Sequence, residues 1–154
     1  MKPLFILIIT FSITLLTLRW VTGSLAYQLA GRIAMSVMLL FTAMGHIVYT
    51  KGMTMMLPDT VPHKLEIVHV TGILEVLFAI GLFFPTTFKM TGVLLILFFI
   101  LVLPANVHAA LEHIDIQQAN TKGPGPQYLW FRVPLQLFFI AWTYLATLST
   151  LWAK

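Results

Sequence analysis

Five apolar runs, each long enough to cross a lipid bilayer, leave this chain few ways to fold. They lie at about residues 3–20, 25–50, 63–84, 88–111 and 128–152. A span needs roughly 20 mostly apolar residues, and a backbone in hydrocarbon must satisfy its own hydrogen bonds, which such runs do as helices. Of the 154 residues, 59% are hydrophobic and 9% charged, with a mean hydropathy of +0.93. A soluble domain of this size cannot bury so much apolar surface. The reading is an all-α transmembrane bundle, a single domain whose first partner is the bilayer. The net charge of +4 comes from basic residues scattered singly near span ends. That pattern suits anchoring and argues against nucleic acid as a partner. There is no cysteine, so the chain carries no disulfide, thiol relay or iron–sulfur ligation.

The first run resembles a signal peptide in outline, with Lys2 ahead of it and Ser24-Leu25-Ala26 as a cleavage site. Arg19 and Trp20 fit that reading poorly, and the run is taken as a span. Thr10, Thr14 and Thr17 share one helical face suited to packing. Trp130, Trp142, Tyr144 and Trp152 read as interfacial anchors of the fifth span. Two tight turns, Val21–Ser24 and Pro85–Thr87, lie on one side of the membrane. Two long loops, Lys51–Pro62 and Glu112–Gln127, lie on the other. Met53, Met56 and Leu57 give the first loop a short amphipathic helix at the interface. Lys2, Lys51, Lys64 and Lys122 outnumber Arg19, Lys89 and Lys154, which places the N-terminus inside by a narrow margin.

Glu75 stands near the middle of the apolar stretch Val68–Phe84. An ionisable group at that depth normally faces a bundle interior, a cavity or a partner charge. Counting about 1.5 Å of rise per residue puts Arg32 and Glu75 within roughly 4–5 Å in depth, and the two are expected to pair. Ser36, Ala43 and His46 follow Arg32 on the same face. Toward the long loops, Asn106 and Arg132 match in depth, with Gln136 one turn beyond Arg132. Pro104 leaves a carbonyl free near Ile100 for a polar neighbour. Glu66 and His69 enter from the third span at i, i+3. All five histidines fall in this half of the molecule, but no two share an i, i+4 face. A metal site would need His46, His69 and His108 to converge from three helices, so none is expected. The ligand-binding candidates are Arg32, His46, Glu66, His69, Glu75, Asn106, Arg132 and Gln136. The bland reading of the same residues is a structural clamp plus interhelical hydrogen bonds.

Several short segments, in order, resemble the DoxX family of small bacterial membrane proteins. They are Gly31-Arg32 in a span ending in Gly45-His46; Leu57-Pro58; Thr71-Gly72-Ile73-Leu74-Glu75; Leu103-Pro104-Ala105-Asn106; and Trp130-Phe131-Arg132-Val133-Pro134-Leu135-Gln136. They cover about residues 30–145. The resemblance implies a four-helix core, with residues 3–20 as an added N-terminal helix, and a bacterial inner membrane location. That family takes its name from a subunit linked to quinol oxidase and thiosulfate:quinone oxidoreductase systems. A distant animal branch resembles receptor-assembly chaperones. No settled catalytic residue comes with it.

Two functional classes follow. One is an accessory subunit of a membrane redox system, holding a quinone or other lipid-like ligand among apolar side chains. Arg132, Asn106, His69 or His46 would bond the carbonyl oxygens, and Glu75 or a histidine would move a proton. Any redox centre would sit on the ligand or on partner subunits. The other is a non-enzymatic scaffold or assembly factor whose long-loop face meets partner proteins.

Overall fold

The computed structural model describes residues 2–149. Five of its helices are long and apolar enough to cross a membrane. They are α1 (Lys2–Thr22), α2 (Tyr27–Val48), α4 (Lys64–Phe83), α5 (Phe88–Leu111) and α6 (Leu129–Thr147). A single 3-10 turn, Pro126–Tyr128, leads into α6, and a short helix α3 (Thr50–Met55) follows α2. The Trp152 anchor falls outside the described residues.

The helices close a ring in the order α2, α4, α5, α6 and back to α2, while α1 lies outside it along α2. The interior face of α2 is built from Ala30, Ala34, Met35, Ser36, Met38, Leu39 and Ala43, all buried. Small residues along such a face let helix backbones approach where no hydrophobic force drives them together in lipid. The centre of the ring is filled by Met35, Met38, Leu39, Leu95, Phe98, Phe99 and Phe139. Phe99 and Phe139 stack across α5 and α6 with centroids 5.9 Å apart.

On α1 only Leu7 is buried, and Leu4, Leu7 and Phe11 make its packing stripe. Of the three threonines expected to pack, Thr17 is exposed and turns back to the Ile13 carbonyl at 2.8 Å. Trp142 also departs from its expected place. It sits inside the bundle, edge-on to Phe11 at 4.9 Å, and donates its indole N–H to the Gly31 carbonyl at 3.2 Å. Trp20 and Trp130 are the tryptophans that stand exposed at opposite ends, 89% and 87% open, as interface anchors do.

The two long loops fold into one ordered cap. A short helix forms as α3, but it ends at Met55, so of Met53, Met56 and Leu57 it carries only Met53, and it packs against the second loop. Gly52 is buried, and a methyl group there would overlap the Ile116 carbonyl oxygen of the second loop. His108 near the end of α5 bonds the Met56 carbonyl at 3.0 Å through Nδ1, tying the cap to the bundle.

Candidate functional site

Two polar clusters lie within the bundle, and each is set by which face its helix turns inward. On α4 the inward face is Val68, Gly72, Glu75, Ala79 and Leu82. Glu75 is 8% exposed and meets His46 of α2, with His46 Nε2 3.6 Å from Glu75 Oε2. His46 Nδ1 lies 2.7 Å from the Val68 carbonyl, and the Thr71 hydroxyl lies 3.3 Å from the same nitrogen. Gly72 makes this closeness available: a Cβ there would come within 2.8 Å of His46 Cβ.

The geometry assigns the imidazole tautomer. A backbone carbonyl only accepts, so Nδ1 must carry the proton that meets Val68. Nε2 therefore faces the carboxylate either as a bare lone pair or as an N–H. With no proton between them, two acceptors oppose each other and a buried carboxylate stands uncompensated, which is costly. With one proton, shared as imidazolium–carboxylate or imidazole–carboxylic acid, they attract. The couple is thus a one-proton site. No described residue hydrogen-bonds to Oε2, which is buried, so that proton sits at the end of the local hydrogen-bond chain.

The expected Arg32–Glu75 pair does not form. Its failure has a geometric cause. Every Cα–Cβ bond tilts toward its helix N-terminus. On α2 that direction is the tight-turn side, and on antiparallel α4 it is the long-loop side. Arg32 and Glu75 therefore lean apart, whereas His46 and Glu75 lean together. The Arg32 guanidinium lies instead 4.1 Å over the ring of Phe88, the first residue of α5.

The second cluster joins α5 to α6. Arg132 Nη1 donates to Asn106 Oδ1 at 2.7 Å, as the matched depths imply. Its guanidinium also lies 5.0 Å from the Tyr128 ring. Gln136 donates to a carbonyl of the Pro104 turn at 2.6 Å, but that carbonyl belongs to Phe99, one residue before Ile100. An arginine whose carbonyl partner is removed is left with a bare donor, so Asn106→Leu is expected to cost about 1.5–3 kcal/mol. Gln136→Leu breaks a neutral bond and should cost about 0.5–1.5 kcal/mol. Thermal unfolding in detergent ranks the two. Equal losses would mean that Asn106 does not hold the guanidinium.

Glu66 and His69 are not interior groups. Both are exposed, because they fall to either side of the Val68–Gly72–Glu75 stripe. Glu66 faces His63 at 3.5 Å. His46, His69 and His108 do not converge, and no cluster of three or more metal-ligating side chains occurs among the described residues.

The sequence reading also passed over a cleft of about 450 Å³ on the long-loop face, lined by Met55, Asp59, Lys64, His108, Glu112 and Thr121 among others. Lys64 donates to Asp59 at 2.6 Å and holds that carboxyl below the ordinary carboxylate range. The i, i+4 spacing of His108 and Glu112 was the one signal available for it.

Fold and clusters together define a multi-pass helical membrane protein whose half-buried polar groups bond helix to helix. The chain belongs to the family described as a domain of unknown function (DUF8561), whose model matches residues 35–147. That stretch covers the ring helices from the third turn of α2 onward and leaves α1 outside. Curated proteins and solved structures offer no match.

Proposed function

We propose that this is a DoxX-like accessory protein of a bacterial inner membrane, acting as a non-enzymatic scaffold or assembly factor. The observation that carries the reading is where the half-buried polar groups of the bundle go. Arg132 closes on Asn106, Gln136 on the Phe99 carbonyl, His46 on the Val68 carbonyl and Trp142 on the Gly31 carbonyl. Each bond links two helices around a centre packed with side chains. Such groups rigidify a bundle. The folded long-loop cap, with its polar cleft, is the surface such a bundle offers to partner subunits. In this reading α2, α4, α5 and α6 are the DoxX-like core and α1 is the addition.

A second reading, a quinone-linked redox accessory subunit, draws on one observation of its own. Quinone chemistry needs protons, and the His46–Glu75 couple holds one beside an oxygen with no hydrogen-bond partner. Electrons would come from partner subunits, since this chain has no cysteine-borne centre. Native mass spectrometry of the detergent-released protein separates the two. The scaffold reading expects a stoichiometric partner polypeptide and no stoichiometric small molecule beyond phospholipid. A quinone retained one per chain, and lost in Glu75→Gln while the protein stays folded, would overturn it in favour of the second.

A further inference from the structure

The guanidinium of Arg32 has no counter-ion among the described residues. Its Nε and Nη1 are buried, and neither has a hydrogen-bond partner. The sequence holds five acidic residues, and each is accounted for elsewhere. Asp59 pairs with Lys64, Glu66 faces His63 and Glu75 faces His46. Glu112 lines the long-loop cleft. Asp115 accepts the backbone N–H groups of Gln117 and Gln118. Four of the five lie at the long-loop end and Glu75 leans toward it, opposite to Arg32.

Depth then limits what the counter-ion is. Arg32 is the sixth residue of α2, about 7–8 Å inside the helix start at 1.5 Å per residue. Its side chain leans back toward that start, and the ring beneath it belongs to the first residue of α5. The charge therefore sits at the tight-turn end, where headgroups meet acyl chains. Arg32 is partly exposed, so a headgroup can reach it. Lys89 follows Phe88 directly, and Arg19 is exposed at the same end. No acidic residue lies at this end among the described residues.

We propose that Arg32, seated on Phe88, binds the phosphate of an anionic phospholipid. A guanidinium is permanently charged and donates charge-assisted hydrogen bonds to phosphate oxygens. The surrounding cations Arg19 and Lys89 favour a headgroup with net negative charge over a zwitterionic one. The bound lipid neutralises the guanidinium and, through Arg32 seated on Phe88, ties the start of α2 to the start of α5 across the ring at the membrane surface.

The test is retention of lipid by the full chain, read by native mass spectrometry after extraction from bilayers of phosphatidylcholine mixed with phosphatidylglycerol. The native chain is expected to keep phosphatidylglycerol in preference to phosphatidylcholine. Arg32→Gln should lower that retention at least about fivefold, the equivalent of one cationic contact of about 1 kcal/mol. Arg32→Lys keeps the charge within the fold and should hold the lipid less tightly than arginine. Lys122→Gln, which removes an exposed cation at the opposite, long-loop end, should leave retention near the native level. Equal retention of the two lipids by the native chain, or undiminished retention by Arg32→Gln and Arg32→Lys, would overturn the proposal. Displacement of the lipid by inorganic phosphate alone would assign the site to a soluble anion and overturn the lipid assignment.

Discussion

Replacing His46 with leucine is expected to destabilise the bundle by about 3–5 kcal/mol, the cost of stranding one member of a buried ionic pair. Glu75 would keep its carboxylate at 8% exposure with Oε2 still unpartnered and no imidazole beside it. The Val68 carbonyl would not be orphaned, because the Thr71 hydroxyl also donates to it at 2.9 Å. The loss should therefore be traceable to the carboxylate. Glu75→Leu should cost less, about 1–3 kcal/mol. It leaves an imidazole that can stay neutral and keep its Nδ1 proton on Val68. The double variant His46→Leu/Glu75→Leu should recover most of the stability lost in His46→Leu, since apolar replacements of a buried pair are often close to neutral. The three variants form a double-mutant cycle, read as chemical unfolding in detergent. A strictly additive cycle would mean that the two side chains do not interact, and the one-proton couple would be withdrawn. Retained lipid should be unchanged in these variants if Arg32 acts separately at the opposite end.

The sequence carried the spans and the sides on which the loops lie because both depend on one-dimensional quantities. Run length against bilayer thickness fixed five helices, and short against long connections sorted the two ends. Depth matching found Arg132 and Asn106 because both enter from the same end of neighbouring helices. The same counting misled for Arg32 and Glu75. Rise per residue locates a Cα, while a long side chain acts a full turn away, in a direction set by the chain's polarity. His46 lay on the face already chosen as interior, yet its partner emerged only once α2 and α4 were read as antiparallel, with both Cβ vectors pointing inward to one level. Glu66 and His69 show a different limit. Nearly every position of a membrane helix is apolar, so hydropathy does not mark which stripe is inside. The stripe on α4 is marked by Gly72 and Ala79, small residues that admit a neighbour. The loop cleft was hidden because it is made by two segments about 50 residues apart in sequence, Thr54–Lys64 and His108–Thr121, whose closeness comes from folding and leaves no local pattern.

Gly52→Ala is expected to open the cap while leaving the ring of spanning helices nearly intact. The added methyl would overlap the carbonyl oxygen of Ile116, a backbone atom that cannot rotate away as a side chain would. The segment carrying that oxygen is itself pinned. Ile114 N–H bonds the Ala109 carbonyl at 2.8 Å, Asp115 N–H bonds the Asn120 carbonyl at 2.8 Å, and Gly123 N–H returns to the His113 carbonyl at 2.6 Å. Either these bonds yield or α3 withdraws from the loop, and overpacking of this kind costs about 1–3 kcal/mol or more. The strain falls on α3 and residues 112–125, not on the packed centre between α2 and α5. Hydrogen exchange across 112–125 should therefore quicken by about tenfold or more for each 1.4 kcal/mol lost locally, with a much smaller change in α5. Gly45→Ala is the matched control. Its new methyl meets the flexible end of Met53 at 3.4 Å and the Tyr49 ring at 3.9 Å, both ordinary contacts, and alanine in a helix interior gains up to about 1 kcal/mol over glycine. If partner subunits dock on the cap, Gly52→Ala should lose them while Gly45→Ala keeps them. Native exchange rates across 112–125 in Gly52→Ala would show that the loops do not bear on one another, and the scaffold reading would lose the surface on which it depends.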